Sequence, residues 1–141
     1  MYSTIHYLHS HLSYFALGLL IIAALNAIFK LLSGKEFFSL DLRISLFALI
    51  LTHIQLVIGF ILYYVSPLGM SSLGEMKNAA VRLTSLEHPL INIIAIALIT
   101  IGWSTHKKQV TSYGKFKKIA IFYTLGLLLI LSRIPWGNWL N

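Results

Sequence analysis

The sequence predicts an all-α membrane protein, a single integral membrane domain folded as an up-down bundle of four transmembrane helices. Of the 141 residues, 57% are hydrophobic and only 11% are charged, whereas a soluble domain carries about a quarter charged residues. The apolar residues fall into four long runs, and about 20 apolar residues are enough to cross a bilayer. The chain has no cysteine, which excludes disulfides, thiolate metal sites and iron–sulfur clusters.

The four apolar runs predict helices over about residues 5–32, 42–65, 87–105 and 117–133. Pro67 and Pro135 end the second and fourth helices, because proline lacks an N–H and restricts the residue before it. The first run has no basic residues before it, and no small-residue cleavage pattern follows it. We therefore interpret it as a retained helix and not as a signal peptide.

The basic residues predict the orientation of these helices. The net charge is +7, from 11 basic and 4 acidic residues. Eight of the eleven lie in the connections 30–43 and 106–118, and the remaining three are Lys77, Arg82 and Arg133. Because cytoplasmic loops are enriched in Lys and Arg, we expect a bacterial inner-membrane protein with both termini outside the cytoplasm. The same pattern favours contact with the lipid bilayer over binding to nucleic acid.

The outer connection between the second and third helices is predicted to contain a short interfacial helix. Ser72 and Glu75 have the spacing of a capping box, and apolar residues follow at helical spacing at Met76, Ala79 and Leu83. We expect this helix to lie on the outer surface.

Histidines are the candidate functional residues. Ionisable groups at membrane depth need a partner, and the chain has six histidines. His6, His11 and His106 are expected to be solvated residues of the membrane interfaces. His9 and His88 open the first and third helices at the same outer level, and these helices are diagonal neighbours in an up-down bundle. Two inward histidines in this arrangement are typical of b-type haem held by two axial imidazoles.

The predicted site therefore contains haem b, with His9 and His88 as its iron ligands. Glu87 or Ser10 would orient one imidazole, and Arg82 and Lys77 would pair with the haem propionates. Two alternatives stay open: both histidines bind only headgroups and water, or His6, His9 and His88 hold zinc or copper. Nothing in the sequence marks a catalytic centre for a separate substrate.

His53 is a candidate functional residue near the membrane midplane, apart from His9 and His88. At 1.5 Å rise per residue it lies about 15 Å below His9 and His88, near the midplane. We expect a neutral imidazole bonded to a neighbouring helix, with Thr100, Asn92 or Thr124 as the partner. A proton relay, a quinone contact or a second metal centre are the functional alternatives.

The chain also resembles small bacterial four-helix inner-membrane proteins labelled cytochrome b-like. The resemblance extends over nearly the whole chain and depends on five segments, Leu8-His9-Ser10, Thr52-His53-Ile54-Gln55-Leu56, Tyr63-Tyr64-Val65-Ser66-Pro67-Leu68, Glu87-His88 and Ile134-Pro135-Trp136. It implies functional positions at His9, His53, Glu87 and His88, and gives His11 none.

The expected function is haem-based electron transfer, with electrons exchanged with quinol or another membrane protein subunit. The main alternative is a haem-free accessory subunit that stabilises a larger membrane complex. Its partners would pack on small-residue faces of two helices, Gly18, Ala23, Ala24 and Ala27, or Ala95, Ala97 and Gly102. A third alternative is a transport or metal-handling protein that uses the outer histidines.

Overall fold

A computed structural model describes residues 1–140, which form helices joined by short loops, with no strand in this range. The helices are α1 (Tyr2–Leu32), α2 (Ser39–Val65), α3 (Ala79–Arg82), α4 (His88–His106), α5 (Ser112–Ser132) and α6 (Trp136–Trp139). A π-helical turn, Leu83–Glu87, joins α3 directly to α4, and a 3-10 turn covers Met70–Ser72. The all-helical prediction is confirmed, and most of the long helices begin several residues earlier than predicted.

Within residues 1–140, three helices are long and apolar enough to cross a membrane: α1, α2 and the continuous run Ala79–His106. Large apolar side chains cover their outward faces, among them Phe15, Leu25, Phe47 and Val57. An apolar surface of this extent is suited to lipid and not to water.

The long helices pack in a closed ring. Helix α1 packs against α2 and α5, and α4 packs against the same two helices. Helices α1 and α4 are therefore opposite each other, and a side chain that points inward from one faces the other across the interior. The most extensive contact is between α4 and α5.

Small residues form the inner faces of this ring. Ala23, Ala24 and Ala27 are each 1% exposed and Ala95 is fully buried, and at Gly102 an added Cβ would lie 2.6 Å from the Phe122 Cβ. The prediction that these residues form partner-binding faces is therefore wrong, because they pack inside their own chain. Of the predicted small residues, Gly18 has open space around it and Ala97 is exposed.

A buried carboxylate links α1 to the start of α2. Asp41 is 1% exposed. One of its oxygens accepts hydrogen bonds from Lys30 Nζ at 2.6 Å and Asn26 Nδ2 at 2.9 Å. The other accepts from the backbone N–H of Phe38 at 2.9 Å and so caps the first turn of α2. This cluster fixes how α1 and α2 meet at the end of the bundle that carries the 30–43 connection.

His106 lies at the same end, at the last residue of α4. It is 1% exposed, with its ring packed against Phe37 and Trp103. Its Nδ1 donates a hydrogen bond to the Trp103 carbonyl oxygen. The prediction that His106 is a solvated residue is wrong, because the 30–43 connection folds back over the end of α4.

The helix predicted in the outer connection begins later than Ser72. The Ser72 hydroxyl donates to the Pro67 carbonyl oxygen, so it does not cap a helix. Asn78 is the N-cap instead, and its side-chain oxygen accepts from the backbone N–H groups of Ala80 and Val81. Helix α3 then continues through the π turn into α4 and is not a separate surface helix.

Candidate functional site

The site is a cavity of about 540 Å³ in the half of the bundle that holds both chain termini, a volume typical of small-molecule and cofactor sites. Helices α1, α2 and α4 supply most of its wall, and residues 134–139 cover one side. Along α1 the wall extends from Tyr2 to Leu20, or about 27 Å at the helical rise. Polar side chains line its outer part, and Leu17, Leu20, Ile96 and Ile130 line its inner part.

His9 and His88 face each other across this cavity. They lie on the opposite helices α1 and α4, and their ring centroids are 6.4 Å apart with an interplanar angle of 89°. A metal held between two imidazole nitrogens, at about 2 Å from each, separates the ring centres by about 6 Å. The predicted pair therefore meets at a spacing that fits an iron ligated by both rings.

The backbone around Pro89 positions His88. Proline has no N–H to donate to the carbonyl of Ser85, four residues earlier, and this carbonyl accepts a hydrogen bond from Tyr63 Oη at 2.8 Å instead. The π-helical turn falls in this segment, as π turns often do at functional sites. The His88 Nδ1 donates to the Arg133 carbonyl oxygen at 2.9 Å. The Asn92 Nδ2 lies 3.2 Å from the same nitrogen. In the tautomer in which Nδ1 donates to this carbonyl, His88 Nε2 has no proton and could bind a metal.

Gln55 and Gly59 of α2 position His9. The Gln55 Nε2 donates to the His9 carbonyl oxygen at 2.8 Å and lies 3.2 Å from His9 Nδ1. The Gln55 Oε1 is buried and has no hydrogen-bond partner. Gly59 leaves room for the His9 ring, because a Cβ at this position would lie 3.1 Å from His9 Cε1.

The predicted charged partners lie outside the cavity wall. Glu87 forms ion pairs with Arg82 at 2.9 Å and with Arg133 at 3.4 Å, and Arg82 also donates to the Met76 carbonyl oxygen. Within residues 1–140, Glu87 has no hydrogen bond to an imidazole; its partner Arg133 offers a carbonyl oxygen to the His88 ring. Lys77 is exposed. Propionates would bind Arg82 only if its pair with Glu87 opened.

The other histidines do not join the pair. His6 lines the outer part of the cavity, but no group of three His, Cys, Asp or Glu within residues 1–140 is placed to hold a metal ion. The geometry therefore does not favour the zinc or copper alternative. His11 is exposed, stacks on Tyr7 at 3.8 Å between ring centroids and bonds to the Tyr7 carbonyl oxygen.

His53 bonds within and between helices, away from the cavity. Its Nδ1 donates to the Leu49 carbonyl oxygen at 2.7 Å, and its Nε2 lies 3.3 Å from Thr100 Oγ1 on α4. The prediction of Thr100 as its partner is confirmed. Asn92 bonds to the carbonyl oxygen of His88 instead, and Thr124 Oγ1 is buried without a partner.

Sequence reasoning missed Gln55, Gly59 and the carbonyl of Arg133 as parts of the site. Gln55 had a usable signal, because an amide at membrane depth requires a polar partner, and it lies two residues from His53 on a different face of α2. A single sequence contains nothing that predicts the contact of Gly59 with His9 or the use of the Arg133 carbonyl as an acceptor.

Comparisons with known proteins find no relative of this chain. No protein-family model, no curated protein and no solved structure matches this chain.

Proposed function

We propose that this protein binds one b-type haem between His9 and His88. The observation that carries the proposal is the 6.4 Å separation of the two ring centroids across the cavity. The two histidines are 79 positions apart in the chain, on helices that face each other without packing directly.

The shape of the cavity supports the same ligand. A haem has an apolar edge and a charged edge with two propionates. The cavity wall is apolar at its inner end and polar at its outer end, so it matches that polarity. Arg82 and Arg133, which are 39% and 49% exposed, both pair with Glu87, the residue before His88, and are the cations we propose for the propionates.

The proposed activity is electron transfer. If His9 and His88 both held the iron, neither would leave room for a substrate on it, so the chemistry that a haem would supply here is electron transfer. Quinol or a second membrane subunit is the proposed source of electrons. In the protein itself, His9 and His88 would hold and orient the iron, and the apolar residues Leu17, Leu20, Ile96 and Ile130 would keep water away from it.

The proposed setting is a bacterial inner membrane crossed by four helices, α1, α2, Ala79–His106 and α5, with both termini outside. Helix α5 carries Lys115, Lys117 and Lys118 in its first two turns. Long lysine side chains can extend from such a turn to the interface, and α5 packs along both α1 and α4. These features support a fourth crossing with the lysine-rich end in the cytoplasm.

The test is an optical spectrum of the purified protein after expression with a haem supply. We expect one haem per chain and a reduced spectrum of the b type. His9→Ala and His88→Ala should each lose the bound haem. The matched controls His11→Ala and His53→Ala should keep it, because these rings lie outside the cavity.

Two results would contradict the proposal. One is a colourless wild-type protein with full helix content by circular dichroism, which would favour the haem-free accessory subunit. The other is a haem spectrum that is unchanged in both His9→Ala and His88→Ala. The accessory function has less support from the structure, since most of the small residues proposed for partner contact are buried in the bundle.

A further inference from the structure

We infer that residues 134–139 form a lid over the outer part of the cavity, which the indole of Trp139 latches to α1. A ligand enters and leaves where this lid meets α1. The inference takes from the proposed function only haem as one of its two probes. The lid supplies five residues to the cavity wall: Ile134, Pro135, Gly137, Asn138 and Trp139.

The lid replaces a transmembrane helix in the outer part of the wall. Helix α5 ends at Ser132 and contributes Ile130 to the wall. Helix α1 continues further outward and lines the cavity as far as Tyr2. On this side, a short segment with one helical turn, α6, therefore closes the space that a long helix closes elsewhere.

One side chain attaches the lid to α1. The Trp139 Nε1 donates to the Ser10 carbonyl oxygen at 3.1 Å, and the ring centroids of Trp139 and Tyr14 are 4.7 Å apart. Within residues 1–140, this is the hydrogen bond that joins the lid to α1. The indole of Trp136, on the same turn, donates instead to the Leu131 carbonyl oxygen near the end of α5.

The other segment at the outer end of the cavity, residues 66–69 after α2, is held more firmly. The Leu68 N–H donates to the Ser66 hydroxyl at 3.1 Å, and the Gly69 N–H donates to the Ser66 carbonyl oxygen at 3.2 Å. Gly69 also packs so closely on α2 that an added Cβ would overlap the Tyr63 carbonyl oxygen. Of the two segments, the lid is therefore the one that can move away.

Opening the lid leaves no buried polar group without a partner. The Ser10 carbonyl oxygen also accepts from the Ser13 hydroxyl at 2.6 Å. The released indole N–H of Trp139 can donate to water or headgroups, as tryptophans at a membrane interface do. The Arg133 carbonyl oxygen bonds to His88 Nδ1 at 2.9 Å, so the chain stays in place up to this residue and the movement begins after it.

The first measurement is the reaction rate of a thiol inside the cavity, without any ligand. The cysteine replaces Leu17 on the inner wall, and a charged, water-soluble thiol reagent is added to the protein in lipid nanodiscs. Trp139→Phe keeps an aromatic ring and removes the N–H, and Trp139→Ala removes both contacts. Because each contact changes an equilibrium by about two- to tenfold, we expect Leu17→Cys to react about fivefold faster with Trp139→Phe and about 20-fold faster with Trp139→Ala.

The matched control is Trp136→Phe, which removes the same N–H from the same turn but no contact with α1. It should leave the rate of Leu17→Cys unchanged. A cysteine at Ser71, which is exposed, should react at one rate in all backgrounds, and circular dichroism should show equal helix content. Equal rates of Leu17→Cys in all backgrounds, no reaction in any of them, or equal acceleration by Trp136→Phe would overturn the inference.

The second measurement uses haem as the probe. A latch changes the rates of entry and exit by the same factor, because the open state is on the path in both directions. We expect haem to associate and dissociate about fivefold faster in Trp139→Phe, with an equilibrium affinity within about twofold of the wild type. Faster dissociation with unchanged association would show that Trp139 holds the ligand directly and is not a latch.

The two measurements separate the lid from the proposed function. If the wild type binds no haem, the proposed function fails, and the thiol rates still decide whether the lid opens. If haem binds and neither the thiol rates nor the haem rates respond to Trp139, the proposed function stands and the lid is refuted.

Discussion

The ring of His9 rests against Gly59 of the neighbouring helix, so closely that a Cβ at this glycine would lie 3.1 Å from His9 Cε1 and 3.7 Å from Nδ1. Gly59 is one helical turn from Gln55, which bonds to the same histidine. One face of α2 therefore controls both the space around the His9 ring and its hydrogen bonding.

The substitution Gly59→Ala should weaken haem binding without loss of stability. The new methyl group displaces the His9 ring by a few tenths of an ångström, and we expect about a tenfold loss of haem affinity. The fold should be equally stable or about 0.5 kcal/mol more stable, because alanine loses less backbone entropy in a helix than glycine does.

The matched control for this prediction is Gly18→Ala on α1, where a Cβ meets no atom within 4 Å. It should produce the same small gain in stability and no change in haem affinity. Haem titration and thermal unfolding in detergent measure the two quantities. Equal haem affinity in the Gly59→Ala protein and the wild type would contradict the proposed position of the haem.

The sequence predicts the features of this site that depend on local patterns better than those that depend on contacts between distant parts of the chain. Helix content and the placement of His9 and His88 at the same end of the bundle depend on local patterns, and both agree with the structure. The burial of His106 depends on how the 30–43 connection folds over the end of α4, and it was predicted wrongly. The ion pairs of Glu87 with Arg82 and Arg133 depend on the outer connection and the end of α5, and they were not predicted. Gln55 and His9 are 46 positions apart in the chain. Their contact depends on which face α2 turns toward α1, and a helix that is apolar on all sides carries no sequence pattern that specifies this face.

The contact between α4 and α5 predicts a large effect at Gly126. A Cβ here would lie 2.7 Å from Ile99 Cγ1 and 2.9 Å from the Ala95 carbonyl oxygen. Because the backbone of α4 must move away, Gly126→Ala should destabilise the protein by about 1–3 kcal/mol. Unfolding in mixed detergent measures the loss, with Gly18→Ala again as the control. A neutral result at Gly126 would mean that the two helices are not as close as described.

The buried carboxylate of Asp41 predicts a second effect on stability. Asp41→Ala removes the acceptor for Lys30, Asn26 and the Phe38 N–H, and we expect a loss of about 2 kcal/mol. Asp41→Asn keeps one oxygen acceptor and should lose about half as much. In the double variant Asp41→Ala with Lys30→Met, the loss should be smaller than the sum of the two single losses. Additive losses would show that the two groups do not interact.

The absence of cysteine from the sequence makes the proposed crossing of α5 directly testable. Single cysteines fit at Ser71, which is exposed, at Val110, which is 97% exposed, and at Gly137, where a side chain meets no atom within 4 Å. In spheroplasts, a membrane-impermeant maleimide should label Ser71→Cys and Gly137→Cys, because both lie outside in the proposed orientation. It should label Val110→Cys only after the membrane is permeabilised. Labelling of Val110→Cys and Gly137→Cys from the same side would show that α5 does not cross the membrane, and labelling of Val110→Cys alone would reverse the orientation.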